Sequence, residues 1–203
     1  MFWDKVAGVY DIFVNVINRK THQKLKKIVT EMIGHDDTVL ECACGTGLLS
    51  AVIALKCRQL TATDFSRKML KKAERNCSAF RNIRFAQADI TALSYPDSSF
   101  DKVVAGNVIH LLDHPLTALS EMNRVCKDSG MLIIPTYINK DPEGRTSVFA
   151  GAVGKAGANF KRQFTADSYR KFFLDAGYQD VKVFMADGRI PCAVAVMKKS
   201  VKT

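Results

Sequence analysis

A chain of 203 residues, 47% apolar and 25% charged, is long enough to bury a sizeable core and too apolar to be disordered. The net charge of +10 admits an acidic partner, but the cations are spread out, with short clusters only at 24–27 and 67–72 that solvated helix faces explain. There is no run of 18 apolar residues, the apolar start is broken by Asp4, Lys5 and Asp11, and the six cysteines form no C-x-x-C pair. A membrane span, a signal peptide and an ordinary zinc site are thereby disfavoured, and the expectation is a cytoplasmic protein with reduced, buried thiols.

In chain order, residues 2–33 read as helical. Phe2, Val6, Val9, Tyr10, Phe13, Val14 and Ile17 recur at three- and four-residue spacing, and Leu25, Ile28, Val29 and Met32 repeat the pattern before Gly34. These helices (1–34) are expected to serve as a lid, with Trp3 and Tyr10 as their polar handles. Residues 39–42 are an apolar strand carrying one acid, Glu41. A turn with two glycines, Gly45 and Gly47, follows, then a helix over 48–56. A strand over 60–63 ends in Asp64, and Ser66 is a plausible N-cap for a helix over 67–76.

A third strand, 83–87, precedes Asp89. The turn cluster 95–99 leads into a strand over 100–105. Asp113 or His114, with Pro115 at the first helical position, opens a helix over 116–127 that Gly130 should stop, and 131–135 is a fifth strand. Residues 136–163, rich in glycine and small residues, break the rhythm as a long insertion does. A helix over 166–176, capped by Thr165 and closed by Gly177, leads to strands 181–185 and 192–197, joined as a hairpin by a tight turn at Asp187-Gly188. Alternating strands and helices predict an α/β fold with a parallel sheet covered on both faces, here ending in an antiparallel hairpin. The simplest organisation is one domain over 1–203.

Three acids, Glu41, Asp64 and Asp89, end three successive strands, so they should line one crevice at the carboxyl edge of the sheet. Asp64 lies 17 residues after Gly47, about where such folds place an acid on ribose hydroxyls. With no obvious local partner, three such acids are costly unless a ligand satisfies them. Ser50 stands where a dinucleotide fingerprint would have its third glycine. A carboxylate at position 41 suits an amine better than a pyrophosphate. S-adenosylmethionine offers an amine, a ribose diol and an adenine, in the order of Glu41, Asp64 and Asp89.

Several stretches also resemble the class I S-adenosylmethionine-dependent methyltransferases: Val39-Leu-Glu-Cys-Ala-Cys-Gly-Thr-Gly47, Thr63-Asp-Phe-Ser-Arg-Lys-Met-Leu70, Gln87-Ala-Asp-Ile90, Phe100-Asp-Lys-Val-Val104 and Ala118-Leu-Ser-Glu-Met-Asn-Arg-Val-Cys-Lys-Asp-Ser-Gly130. The start, Phe2-Trp-Asp-Lys-Val-Ala-Gly-Val-Tyr10-Asp11, and Ala43 are similar to the ubiquinone/menaquinone C-methyltransferase (type 11) group. The stretch Gly106-Asn-Val-Ile-His-Leu-Leu112 departs from that group's Arg-Asn-rich motif. The resemblance implies a Rossmann-like doubly wound sheet of seven strands in order 3-2-1-4-5-7-6, with strand 7 antiparallel. It implies S-adenosylmethionine as cofactor, transfer of a methyl group to a small-molecule acceptor, and 136–163 as a substrate-side insertion.

Carried over residue by residue, Glu41 goes to the cofactor's amine or ribose, and the backbone of Ala43, Cys44, Gly45 and Gly47 to its methionine part. Asp64 goes to the ribose, Phe65 lies beside the adenine, and Met69 is a further cofactor-binding residue. Asp89 and Ile90 take the adenine edge, Asn107 lies below the methionine group, and Tyr10 is a cover. His110 falls where the family often has a cleft-facing histidine and is the candidate general base, on the ordinary near-neutral pKa of its side chain. Cys44 is structural, and no metal is implied. An RNA or protein methyltransferase and a non-catalytic cofactor-binding protein are the alternatives. Nucleic acid is disfavoured because no Asn/Asp-Pro-Pro-aromatic motif follows the fourth strand.

Overall fold

The computed structural model describes residues 18–139 and 161–199, so Tyr10 and most of the expected lid lie outside the described residues, as do 140–160 of the expected insertion. In chain order the elements are α1 (Arg19–Glu31), β1 (Thr38–Cys42), α2 (Ser50–Ala54), β2 (Gln59–Asp64), α3 (Arg67–Asn76), β3 (Ile83–Gln87), β4 (Phe100–Ala105), a 3₁₀ turn (Ile109–Leu111), α4 (Pro115–Val125), β5 (Cys126–Tyr137), α5 (Ala166–Asp175), β6 (Lys182–Ala186) and β7 (Cys192–Lys198). The strands form one sheet in the order β3-β2-β1-β4-β5-β7-β6. Pairing is parallel from β3 through β5, and β7 runs antiparallel to both β5 and β6. The fold and strand order expected from the motifs are the ones observed.

Both faces of the sheet are covered, and the period of two along a strand decides which residue goes where. Leu40, Val103, Leu132 and Ile134 pack with α4 and α5 residues such as Ala118, Met122, Tyr169 and Phe173. Their neighbours Val39, Val104 and Ile133 pack on the other face with Leu25 and Val29 of α1, Ile53 of α2 and Ala73 of α3. The helix ends follow local chemistry. Ser66 Oγ accepts from Met69 N at the start of α3. Thr165 and Ser168 form a reciprocal capping box at the start of α5. Gly177 at φ +94° ends α5, with Tyr178 N donating back to Phe173 O at 3.1 Å.

Two expectations are corrected. Gly130 does not stop α4. The helix ends at Val125, and Gly130 lies inside β5, where a Cβ would come within 2.6 Å of Cys126 Sγ and 2.9 Å of Asp101 O. Close approach of the neighbouring chain, rather than a turn, requires glycine there. The β6–β7 connection is not a two-residue turn either. It runs from Asp187 to Pro191 because it wraps the start of α1. Asn18 Nδ2 donates to Ile190 O at 2.9 Å, Ile190 N donates to Asn18 Oδ1 at 3.1 Å, and a Cβ on Gly188 would collide with Thr21 Oγ1.

Candidate functional site

The chain leaves β1 through three left-handed residues, Ala43 (φ 54°), Gly45 (φ 58°) and Gly47 (φ 87°). The two glycines serve different ends. A Cβ on Gly45 would meet open space, so its side faces the cleft. A Cβ on Gly47 would lie 2.9 Å from Cys77 Sγ, so position 47 must be bare to let α3 approach. Ala43 adopts the same backbone region with a side chain, at a cost of roughly 1 kcal/mol.

Asp64, at the end of β2, organises this turn. Its Oδ2 accepts from Gly45 N and its Oδ1 from Ser66 N, both at 2.8 Å. Cys44 N donates to Thr63 O at 2.8 Å. The glycine turn and the start of α3 are thus held by one carboxylate. Asp89 is held similarly: its Oδ1 accepts from Thr91 N at 2.8 Å and from Thr91 Oγ1 at 2.7 Å. Glu41 lies beneath the turn, 2% exposed, where it accepts a 2.5 Å bond from Ser50 Oγ. Burial pushes its carboxyl up to about 8, Ser50 works against that shift, and the charge of Asp64 adds to it. Each acid therefore has a protein partner. The expectation of partnerless carboxylates is corrected, because turn amides and hydroxyls reach them.

The orphan is across the cleft. Asn107, just past β4, holds φ +55° and donates its N–H to Pro135 O at 2.8 Å. Among the described residues its buried Oδ1 has no hydrogen-bond partner.

These elements enclose a cleft of about 360 Å³ at the carboxyl ends of β1, β2 and β4 and beyond β3. Ala43, Gly45, Asp64, Phe65, Met69, Asp89, Ile90 and Asn107 line it, as the motifs anticipate. Phe65 is 51% exposed at its rim. Glu41, Cys44 and Gly47 are buried behind the turn rather than on the lining. Thr63, Ala88, Thr91, Gly106, Val108 and the run 111–114 also line it and were not singled out as binding residues. The signal for Thr91 was its place two residues after Asp89, the spacing of a side-chain-stabilised turn.

His110 lies elsewhere. It is 4% exposed, off the lining, with Nδ1 2.8 Å from Thr136 Oγ1. Burial lowers its pKa to about 4, so the near-neutral base expected at this position is replaced by a neutral ring inside the fold. Its carbonyl accepts from Lys161 N and Arg162 N, at 3.1 and 3.2 Å. Arg162 Nη1 donates to Leu112 O at 2.8 Å, Lys161 pairs with Asp113 at 2.8 Å, and Asn139 N donates to Phe164 O at 2.8 Å. The described 161–163 end of the 136–163 stretch therefore stands at the cleft wall, beside Leu112 and Asp113.

Residues 40–134 match the family model described as a methyltransferase domain. The chain is similar to the demethylmenaquinone methyltransferase of Renibacterium salmoninarum, 33% identical over 137 residues that make up 66% of this chain and 56% of that one. It spans only about half the length of the curated relatives it matches. Among solved structures, an S-adenosylmethionine-dependent methyltransferase from Thermotoga maritima superposes with TM-score 0.76 at 19% identity, covering 98% of this chain and 99% of that one. The [4+2]-cyclase SpnF superposes with TM-score 0.72 at 17% identity, over 88% and 82%, so the fold alone does not fix the chemistry. Residues 40–134 are thus similar to a methyltransferase domain, the described strands have the fold of the solved methyltransferases, and S-adenosylmethionine is the cofactor that such a domain implies.

Proposed function

We propose that the protein is an S-adenosylmethionine-dependent methyltransferase acting on a small-molecule acceptor. The observation that carries this reading is the buried Oδ1 of Asn107, an acceptor with no donor among the described residues, on the wall of a cleft whose opposite wall is acidic. The amino group of S-adenosylmethionine is a donor of the kind missing there. The bare side of Gly45 leaves room for the methionine part.

S-adenosylmethionine supplies a methyl group already activated by its sulfonium. The protein has then to bind and orient. Asp64, on the lining at the end of β2, takes the ribose hydroxyls. Phe65 and Met69 flank the adenine, and Asp89 and Ile90 take its edge. Holding the two reactants in line accounts for up to roughly 7–11 kcal/mol of barrier. The names of the relatives favour a quinol-type acceptor, and the apolar residues Val108, Leu111 and Leu112 on the lining are compatible with one.

Calorimetry tests the core of this reading: saturable binding of S-adenosylmethionine and S-adenosylhomocysteine is expected, and binding of neither would sink it. For the acceptor, labelled cofactor with a water-soluble naphthohydroquinone should give a methylated product. An RNA acceptor is the second reading. It rests on Arg67, Lys68, Lys71 and Arg75, which are exposed on α3 and paired with no carboxylate among the described residues. RNA binding that falls steeply with salt would favour it, and no shift in gels at low salt would remove it.

A further inference from the structure

His114 lines the cleft, yet none of the motifs gives it a task. It occupies the N-cap of α4, immediately before Pro115, and its side chain makes no capping bond. Ser, Thr, Asp or Asn at that position would satisfy a helix amide, so a histidine there forgoes stability. The residue is exposed. Its neighbour Asp113 is tied to Lys161 at 2.8 Å, which fixes the backbone on which it stands.

What His114 faces follows from how α4 is packed. Leu93 N donates to Glu121 Oε2 at 2.8 Å, while Arg124 donates to the carbonyls of Leu93 and Tyr95, both at 2.8 Å. The stretch after Asp89 is therefore lashed along one face of α4. Glu121 lies seven positions after His114, about two helical turns, so both belong to that face roughly 10 Å apart. Ile90 and Leu93 share a buried cluster with Ala118 and Met122 of the same face. Thr91 and Ile90 thus lie toward the helix start, and Asp89, Ile90 and Thr91 line the same cleft as His114.

We infer that His114 is a cofactor-binding residue, its imidazole covering the adenine at the end of the cleft opposite the methionine part. The inference rests on the methyltransferase reading, which puts the adenine edge at Asp89 and Ile90. A flat aromatic ring over a base contributes by stacking and by excluding water, and it does so with any flat ring.

The experiment measures the dissociation constants of adenosine and of S-adenosylmethionine by calorimetry, with the melting temperature alongside. His114→Ser installs a good cap and should raise Tm by about 2–4 °C. It should weaken both ligands about tenfold, since adenosine carries the whole of the proposed contact. His114→Phe should keep both affinities within about threefold of the wild type, because stacking survives. Unchanged adenosine binding in His114→Ser would overturn the inference while leaving the cofactor assignment intact. Failure of the wild-type protein to bind S-adenosylmethionine would overturn the methyltransferase reading, and this inference with it.

Discussion

On the β1–β2 side of the cleft the protein holds its own carboxylates, whereas on the β4 side Asn107 presents a buried oxygen that no described residue satisfies. Asp64 gathers two backbone amides and so shapes the glycine turn before any ligand arrives. Asn107 is held by its backbone in the left-handed region, with its amide oxygen left over. The first wall is a preformed mould, stable by itself. The second bears a polar desolvation cost of about 1–3 kcal/mol that a bound donor would relieve. Stability and ligand affinity should consequently respond differently to changes on the two walls.

The largest effect is expected at Asp64. Asp64→Ala frees two amide donors together with the ribose contact, and hydrogen bonds to a charged group are worth about 1.5–3 kcal/mol each. Cofactor affinity should fall more than a hundredfold, with a lowered melting temperature, in calorimetry and thermal denaturation. A variant that melts lower yet binds normally would place the ligand off this wall.

Next comes a pH effect at Glu41. Its carboxyl is raised from 4.5 to about 8 in the fold, so the folded state holds its proton more tightly than the unfolded chain. That contribution is fully present below pH 4.5 and is lost as pH rises toward 8. His110 works in the opposite sense. Its pKa is depressed from 6.5 to about 4, so its contribution is present above 6.5 and lost as pH falls toward 4. Between pH 6.5 and 8 only Glu41 of the two titrates, and stability should drop by up to about 2 kcal/mol across that window. Denaturant midpoints should slope downward in the wild type and stay flat in Glu41→Gln, which keeps a partner for Ser50. Equal slopes in the two proteins would remove Glu41 as the cause.

Asn107→Gly should show the contrast most cleanly. Removing the amide side chain at a φ glycine tolerates should leave the melting temperature unchanged or higher, while S-adenosylmethionine binds roughly tenfold more weakly, the worth of one hydrogen bond to a cation. Undiminished binding would break the comparison between the walls. Ala43→Gly gives the smallest change: relief of a left-handed alanine, offset by the freedom glycine gains when unfolded, leaves about 0.5 kcal/mol of stabilisation. Its check is a slightly higher denaturant midpoint with unaltered cofactor affinity.

Features fixed within a few residues were legible before the structure. Ser66 caps α3, Thr165 caps α5 and Gly177 ends it, because the partners of each lie within one turn. The cleft-lining acids Asp64 and Asp89 were legible through strand ends and spacing. What they bond to was not, since it depends on how the turns after β1, β2 and β3 point their amides and hydroxyls. Gly130 was misread because a glycine after a helical run looks like a stop, while its real constraint comes from Asp101 on the neighbouring strand and from Cys126. The two histidines of the β4–α4 connection show the same limit. Four residues apart, His110 turns inward because Thr136 of β5 is there to bond it, and His114 lines the cleft. No local pattern announces Thr136.

Part of what fastens the chain at residues 161–164 is main-chain: the amides of Lys161 and Arg162 on the carbonyl of His110, and Asn139 N on Phe164 O. Backbone atoms are the same whatever the side chain. Those three bonds survive substitution at these positions, whereas the ties of Arg162 to Leu112 and of Lys161 to Asp113 do not. The arrangement separates what evolution can vary from what it must keep, and a single scaffold can try new acceptor-side sequences while the cofactor end stays as it is.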